Sequence, residues 1–296
     1  MNRVERFRGS VLVLGSRGML GRELVRQLQG RAGESKELHV SAWGSEELDL
    51  RNREAVLREI PRFSTGIVIN AAAYTDVDGC ERNREHALAV NSAGPGFLAE
   101  VCRESGATLV HFSTDFVFDG ASSRPYRPND VGAPVSAYGE SKWQGELAIR
   151  RVGIRHLIIR TSWLFGVGGK NFVEAILARA QSGQPLKVVT DQIGRPTFTV
   201  DLADATLAML EAGAEGTMHF ANEGECTWHE FAVEIVRQAG LSVPVGMMTS
   251  DQLDRPARRP VYSVLDTAGY TELTGRSIPT WREALRRYLE LRGAAA

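Results

Sequence analysis

The chain has 296 residues, 43% hydrophobic and 24% charged, with a formal net charge of −1. That supports a core large enough for one α/β domain with a smaller lobe and leaves no basic field for nucleic acid or acidic membrane. No run approaches the roughly 18 apolar residues of a membrane helix. The charged start MNRVERFRGS enters a strand without an apolar signal region, so a cytoplasmic protein is expected. Cys80, Cys102 and Cys226 are odd in number and far apart, which predicts free thiols.

Ser10 to Leu14 (SVLVL) reads as a strand buried on both faces of a parallel sheet. The loop Gly15-Ser-Arg17-Gly18-Met19-Leu20-Gly21 follows, then the helical RELVRQL. Glycines three apart let the chain turn tightly, admit a pyrophosphate to the backbone and aim a helix N-terminus at it. This GxxGxxG spacing resembles the extended short-chain dehydrogenase/reductases. A second strand, Leu38 to Trp43, shows no Asp or Glu at its end to hydrogen-bond an adenosine ribose, whereas Arg17 offers a guanidinium to a 2′-phosphate. The combination favours NADPH.

Thr65 to Asn70 is a third strand. It runs into Ala71, Ala72, Ala73 and Tyr74, whose small side chains leave room for a flat ligand on the backbone. For Asn91, in the next helical stretch, the resemblance to the reductases implies a residue that shapes backbone near the site; capping and helix packing fit it equally. The strand Ala107 to Phe112 delivers Ser113, Thr114 and Asp115. A hydroxyl there is placed to donate to a substrate carbonyl, or to turn the chain. Tyr138 and Lys142 then fall four apart on a helix predicted from about Ser136 to Arg150. That puts phenol and ammonium on one face, where the cation should lower the phenol pKa and make it a proton shuttle.

Beyond Lys142 the sequence predicts a strand at Ile154 to Ile159, with Trp163 after it offering an apolar face of the kind on which a pyranose packs. A helix over Asn171 to Gln181 comes next, then a strand and turn in KVVTDQIGRPTFT. Gln192 and Arg195 there suit either a diphosphate or loop fixing. Asp201 reads as the cap of DLADATLAML, Gly216 to Phe220 as a strand, and Thr227 to Gln238 as a Thr-capped helix. Residues 242–259 read as loop, and Thr280 to Leu291 as the last helix. The arginine runs near Arg255 to Arg259 and Arg282 to Arg287 read as solvated faces. The six histidines show neither HxxxH nor HExxH spacing, and no metal site is expected.

VHFSTDFVFDG, SAYGESKWQGE, IIRTSWLFG with NFV after it, VVTDQIGRPT and TWHEFA resemble the dTDP-4-dehydrorhamnose reductase family, from about Val11 to the final helix. The resemblance implies a Rossmann-type doubly wound parallel sheet: residues 1–165 plus about 196–222 would bind the cofactor. A smaller lobe, about 166–195 and 223–296, would take the sugar nucleotide. It further implies reduction of the C4 ketone of dTDP-4-dehydro-L-rhamnose to dTDP-L-rhamnose by NADPH, with NADH a second candidate, in a protein for which a homodimer is one option. Thr114, Tyr138 and Lys142 would be catalytic, Lys142 also holding the nicotinamide ribose, and Thr114, Asp115 and Trp163 would contact the sugar. Asp49 and Leu50 would flank the adenine, with Gly15, Arg17, Gly18, Met19, Leu20, Gly21, Ala72, Ala73 and Tyr74 completing the cofactor site. Some relatives hold magnesium through glutamates, which have no match here. The same motifs also fit another extended nucleotide-sugar reductase or epimerase, or a non-catalytic NADP-binding subunit resembling the regulatory partner of methionine adenosyltransferase.

Overall fold

Six parallel strands lie side by side in the order Gly216–His219, His156–Thr161, Thr108–Thr114, Thr65–Asn70, Gly9–Leu14, Leu38–Trp43. This computed structural model describes residues 9–34, 37–62 and 65–294; the charged segment 1–8 and residues 295–296 lie outside them. Alternation along each strand feeds two cores. Val11, Val13, Val110, Phe112, Leu157 and Ile159 face one layer, with Leu24 and Leu28 of helix Met19–Glu34 and Leu202 and Ala205 of helix Thr199–Glu211. Leu12, Leu14, Leu109 and Ile158 face the other, with Leu98 of helix Gly94–Ser105 and Ile149 of helix Ala137–Val152. Burial on both faces explains why these strands are continuously apolar in sequence.

A third core lies beside the sheet, where helices Phe172–Gln181, Trp228–Gln238 and Trp281–Ala294 enclose Phe165, Phe198, Phe231 and Trp281. Thr227 caps its helix through a reciprocal bond with Glu230, as its sequence predicts. Two expectations fail here. Residues 242–259 contain a strand, Val245–Met248, paired in parallel with Leu186–Val189, too short to show a period. Asp201 is not a cap: the helix begins at Thr199, and Asn222 Oδ1 accepts the Phe198 amide at 2.8 Å. Asp201 sits within the first turn, bound by both Nη atoms of Arg287 at 2.8 Å.

The strand expected to stop at Phe112 continues to Thr114, because Ser113 and Thr114 pair with Arg160 and Thr161. This extension carries the first catalytic candidate to the carboxyl edge of the sheet. Among the described residues no helix is long and apolar enough to cross a membrane, no group of three metal-ligating side chains occurs, and the cysteines are free and buried.

Candidate active site

The glycine loop is shaped by close contacts that a side chain would forbid. Gly15 has φ +74°, and a Cβ there would stand 2.6 Å from the Ala72 amide nitrogen; one on Gly21 would lie 2.1 Å from Gly15 O. The loop therefore seats on the Ala71, Ala72 segment while helix Met19–Glu34 starts directly above it. A cleft of about 530 Å³ opens here, lined by Gly15, Arg17, Gly18, Asp49, Leu50, Ala72, Ala73 and Tyr74 among others. These are eight of the expected cofactor residues, and the open backbone with a helix N-terminus fits a dinucleotide pyrophosphate. Met19, Leu20 and Gly21 do not line it. Leu20 is buried in the core, Met19 lies against Gly169, and Gly21 packs on Gly15, which leaves only first-turn amides to face a ligand.

Arg17 is not a free cation. Its Nη2 reaches Glu47 Oε1 at 2.6 Å and its Nη1 pairs with Glu46. Glu47 is held below the usual carboxylate range chiefly by accepting the Gly44 amide, at 2.7 Å. The chain folds back after Trp43 and brings Glu47 to the strand end, where its two oxygens are taken by the Gly44 amide and by Arg17. Asp49 is likewise engaged, by Arg51 Nη2 at 2.7 Å.

Helix Ala137–Val152 starts at Ser136, whose Oγ accepts the Gly139 amide, while Glu81 Oε1 accepts that of Ala137. Two glycines on it permit unusually close packing. A Cβ on Gly139 would lie 2.1 Å from Phe116 O, and one on Gly145 would lie 2.2 Å from Asn91 O. Asn91 bonds Tyr74 N and O at 2.8 and 2.9 Å and gives a further bond to Ser141 Oγ. It therefore shapes backbone, tying the AAAY segment to helix Ala137–Val152. Tyr138 packs with Tyr74 around Cys80 and edge-on to Phe116, 5.6 Å between centroids.

Burial raises the Tyr138 pKa, with a Thr114 hydrogen bond pulling the other way. Lys142 is not the cause of any lowering: its Nζ donates to Phe112 O at 2.6 Å and lies 3.2 Å from His111 Nε2. The two side chains share a helix face, but Lys142 turns into the sheet, where burial pushes its pKa down to about 8. Thr114 Oγ1 donates to Asp115 Oδ1 at 3.0 Å, and Ser263 Oγ donates to Asp115 Oδ2 at 2.5 Å. With both carboxylate oxygens occupied and 1% exposure, Asp115 orients Thr114 rather than presenting itself to a sugar. Burial lifts its pKa to about 6 against those bonds.

A second cavity, about 390 Å³, is lined by Phe116 and Ser263, by Trp163 and Trp228, and by Arg179, Lys187, Arg255 and Arg259. Trp163 has φ +47°, a left-handed backbone that a bulky residue adopts only when its surroundings impose it. Its indole stacks on Trp228 at 3.5 Å and 7°. One face is therefore covered by Trp228, while Trp163 still lines the cavity. Trp228 Nε1 donates to Gln192 Oε1 at 3.2 Å. Gln192 lines the cavity, whereas Arg195 fixes the loop through Thr267 at 3.1 Å.

The family described as the RmlD substrate binding domain matches residues 9–292. The chain belongs to this RmlD family. A dTDP-4-dehydrorhamnose reductase of Streptomyces griseus is 40% identical over 281 residues, covering 93% of this chain and 91% of that protein. The Bacillus subtilis spore coat polysaccharide biosynthesis protein SpsK is 40% identical over 285 residues, covering 96% and 98%. The solved structure of dTDP-4-dehydrorhamnose reductase from Bacillus anthracis in complex with NADP has a TM-score of 0.91 at 32% identity, covering 96% of this chain and 99% of that one. The resemblance in the motifs is thereby borne out.

Several residues of this RmlD chain escaped the sequence reading. Arg255 and Arg259, read as solvated, line the cavity, and Arg259 pairs with Asp78 at 2.9 Å. Nothing local signals that contact. Glu146, fully buried, takes Arg160 Nη2 at 2.7 Å and Ser113 Oγ at 2.6 Å. Its place four residues after Lys142, on the same inward face, was the available clue.

Proposed function

We propose that this RmlD-family chain is an NADPH-dependent oxidoreductase that reduces the C4 ketone of dTDP-4-dehydro-L-rhamnose to dTDP-L-rhamnose. The observation that carries this reading is the position of Tyr138, half-buried beside Thr114, sharing the cluster around Cys80 with Tyr74 of the dinucleotide cleft and lying edge-on to Phe116 of the basic, tryptophan-lined cavity. The cofactor when bound supplies the hydride; everything else falls to the chain. Tyr138, kept protonated by burial, gives its proton to the oxygen that gains charge. Thr114, whose single hydroxyl proton is given to Asp115 in the absence of substrate, turns it to the same oxygen when the ketone binds. Loss of a donor of this kind costs about 3 kcal/mol of transition-state stabilisation.

In this reading Arg179, Lys187, Arg255 and Arg259 receive the diphosphate and the Trp163, Trp228 pair bounds the sugar. An adenosine 2′-phosphate offered to Arg17 competes with Glu46 and Glu47, so NADPH preference is modest and NADH is also accepted. The division at about 165, 196 and 222 into cofactor and sugar-nucleotide lobes belongs to the same proposal, as do a cytoplasmic location and a homodimer.

The test is NADPH absorbance with purified protein and dTDP-4-dehydro-L-rhamnose made in situ. Expected is stoichiometric NADPH loss with dTDP-L-rhamnose as product. Interconversion of sugars without net cofactor oxidation would point to an epimerase. Tight NADPH binding with no turnover of any ketosugar, together with affinity for a methionine adenosyltransferase, would point to a regulatory subunit.

A further inference from the structure

Behind Lys142 runs a chain of buried polar groups that the chemistry above does not use. Asn70, His111 and Lys142 are 1%, 0% and 2% exposed. The Ala72 amide, at the floor of the cofactor cleft, donates to Asn70 Oδ1 at 3.1 Å. That bond assigns the orientation of the side-chain amide, so Asn70 presents its NH2 to His111 Nδ1, 3.1 Å away. A neutral imidazole has one donor and one acceptor nitrogen. With Nδ1 accepting, the ring proton sits on Nε2, which faces Lys142 Nζ at 3.2 Å.

An ammonium has three donors and no lone pair, so it cannot receive that proton. A neutral amine can, and it still donates to Phe112 O at 2.6 Å. Turning the Asn70 amide over would instead set its NH2 against the Ala72 N–H. We infer that His111 is a positioning residue for Lys142: fixed by Asn70 in its Nε2–H form, it docks the lysine as an uncharged amine.

Among the other titratable or charged groups around Lys142, Glu146 favours the ammonium, but burial outweighs it, and the rest are engaged elsewhere. Glu146, one turn along the same helix, is taken by Arg160 of strand His156–Thr161, by Arg150 and by Ser113. Asp115, on the turn after Thr114, is bound by Thr114 and Ser263, and Tyr138 and Cys80 are both pushed toward their protonated forms by burial. Burial moves His111 well below the usual imidazole range, and Lys142 acts in the same direction.

The use of the dock rests on the reductase reading. After Tyr138 has given up its proton, the tyrosinate takes one from Lys142: an N–H bond of the ammonium breaks and the phenol O–H forms. The amine that remains is the species His111 receives, and one proton from bulk water restores the ammonium. The dock keeps the discharged lysine in the site, off the tyrosine, while product and cofactor exchange.

The first test needs no substrate and so stands apart from the reductase assignment. The full chain labelled with 15N-histidine, without ligands, should show His111 neutral with its proton on Nε2 on both sides of the lysine's value of about 8. An Nδ1–H tautomer or an imidazolium would overturn the inference. The second compares His111→Phe with His111→Gln, whose amide nitrogen can stand in for Nε2. Without the donor the neutral amine is less favoured, so the Lys142 limb of the kcat/KM profile should rise by about one pH unit in the Phe variant, the size of one buried hydrogen bond. It should return in Gln. An unmoved limb in a folded Phe variant, or equal displacement in both, would overturn it.

Discussion

Glu146→Gln tests whether the buried network behind helix Ala137–Val152 stabilises the fold through its charge. Oε1 of the carboxylate accepts Ser113 Oγ at 2.6 Å and Arg160 Nε at 2.8 Å; Oε2 accepts Nη2 of Arg160 at 2.7 Å and of Arg150 at 2.8 Å. Glutamine keeps the shape and one acceptor, but its NH2 meets two guanidinium donors, and Arg160, 0% exposed, is left as an uncompensated buried cation. Removing one partner of such a pair costs about 3 to 5 kcal/mol. At about 2 to 4 °C per kcal/mol for a chain somewhat smaller than this, Tm should fall by roughly 10 °C. Urea unfolding followed by circular dichroism reads the loss directly. Glu146→Leu combined with Arg160→Met should recover most of it, since a packed apolar pair removes both charges together. A single variant that loses less than about 1 kcal/mol, or a double variant that loses the sum of the two singles, would refute the reasoning.

Asp115 should leave a mark on the pH dependence of stability. Its folded pKa of about 6 lies above the ordinary 3.8, so the folded state holds a proton that the unfolded chain has released. The stabilisation is complete below about pH 4 and gone above about pH 6, about 3 kcal/mol in all. Asp115→Asn should therefore gain that much relative to the parent across this window, and parallel stability curves would contradict it. Tyr138→Phe should lower kcat at least about 100-fold while Tm and NADPH affinity hold; turnover near the parent's would remove Tyr138 from the chemistry. Arg17→Ala should reduce the NADPH to NADH ratio in kcat/KM and Glu47→Gln should increase it, an outcome lost if both leave the ratio unchanged. Trp228→Ala, by releasing the Trp163 stack, should raise KM for the sugar nucleotide about 3- to 10-fold with little effect on KM for NADPH. Equal changes in both would assign Trp228 to the core alone.

The central strands were legible because burial on both faces imposes continuous apolar runs, as in Ser10 to Leu14 and Thr65 to Asn70. The glycine loop and the Tyr138, Lys142 spacing were legible because close backbone approach and a shared helix face restrict residue type locally. What escaped depends on contacts between distant segments. Glu47 reaches Arg17 only because the chain reverses after Trp43. Arg259 meets Asp78 from 181 residues away. Lys142 faces His111 rather than Tyr138 because, on an inward helix face, the carbonyl of Phe112 and the imidazole sit where the ammonium would otherwise seek the phenol. Asp201 looked like a cap because acids favour first turns; its actual partner, Arg287, lies on the final helix.

The sheet order also bears on how the chain is made. Strand Gly216–His219 closes the edge beside His156–Thr161, and every parallel pairing must wait for its crossover to be synthesised. All the catalytic candidates have then left the ribosome, yet Leu157, Ile158 and Ile159, each fully buried in the finished protein, still line an open edge. Such an edge is a template for pairing with other chains. A nascent product that stalls before Gly216 thus exposes a buried sheet edge to pairing with other chains and still lacks Ser263, which fixes Asp115.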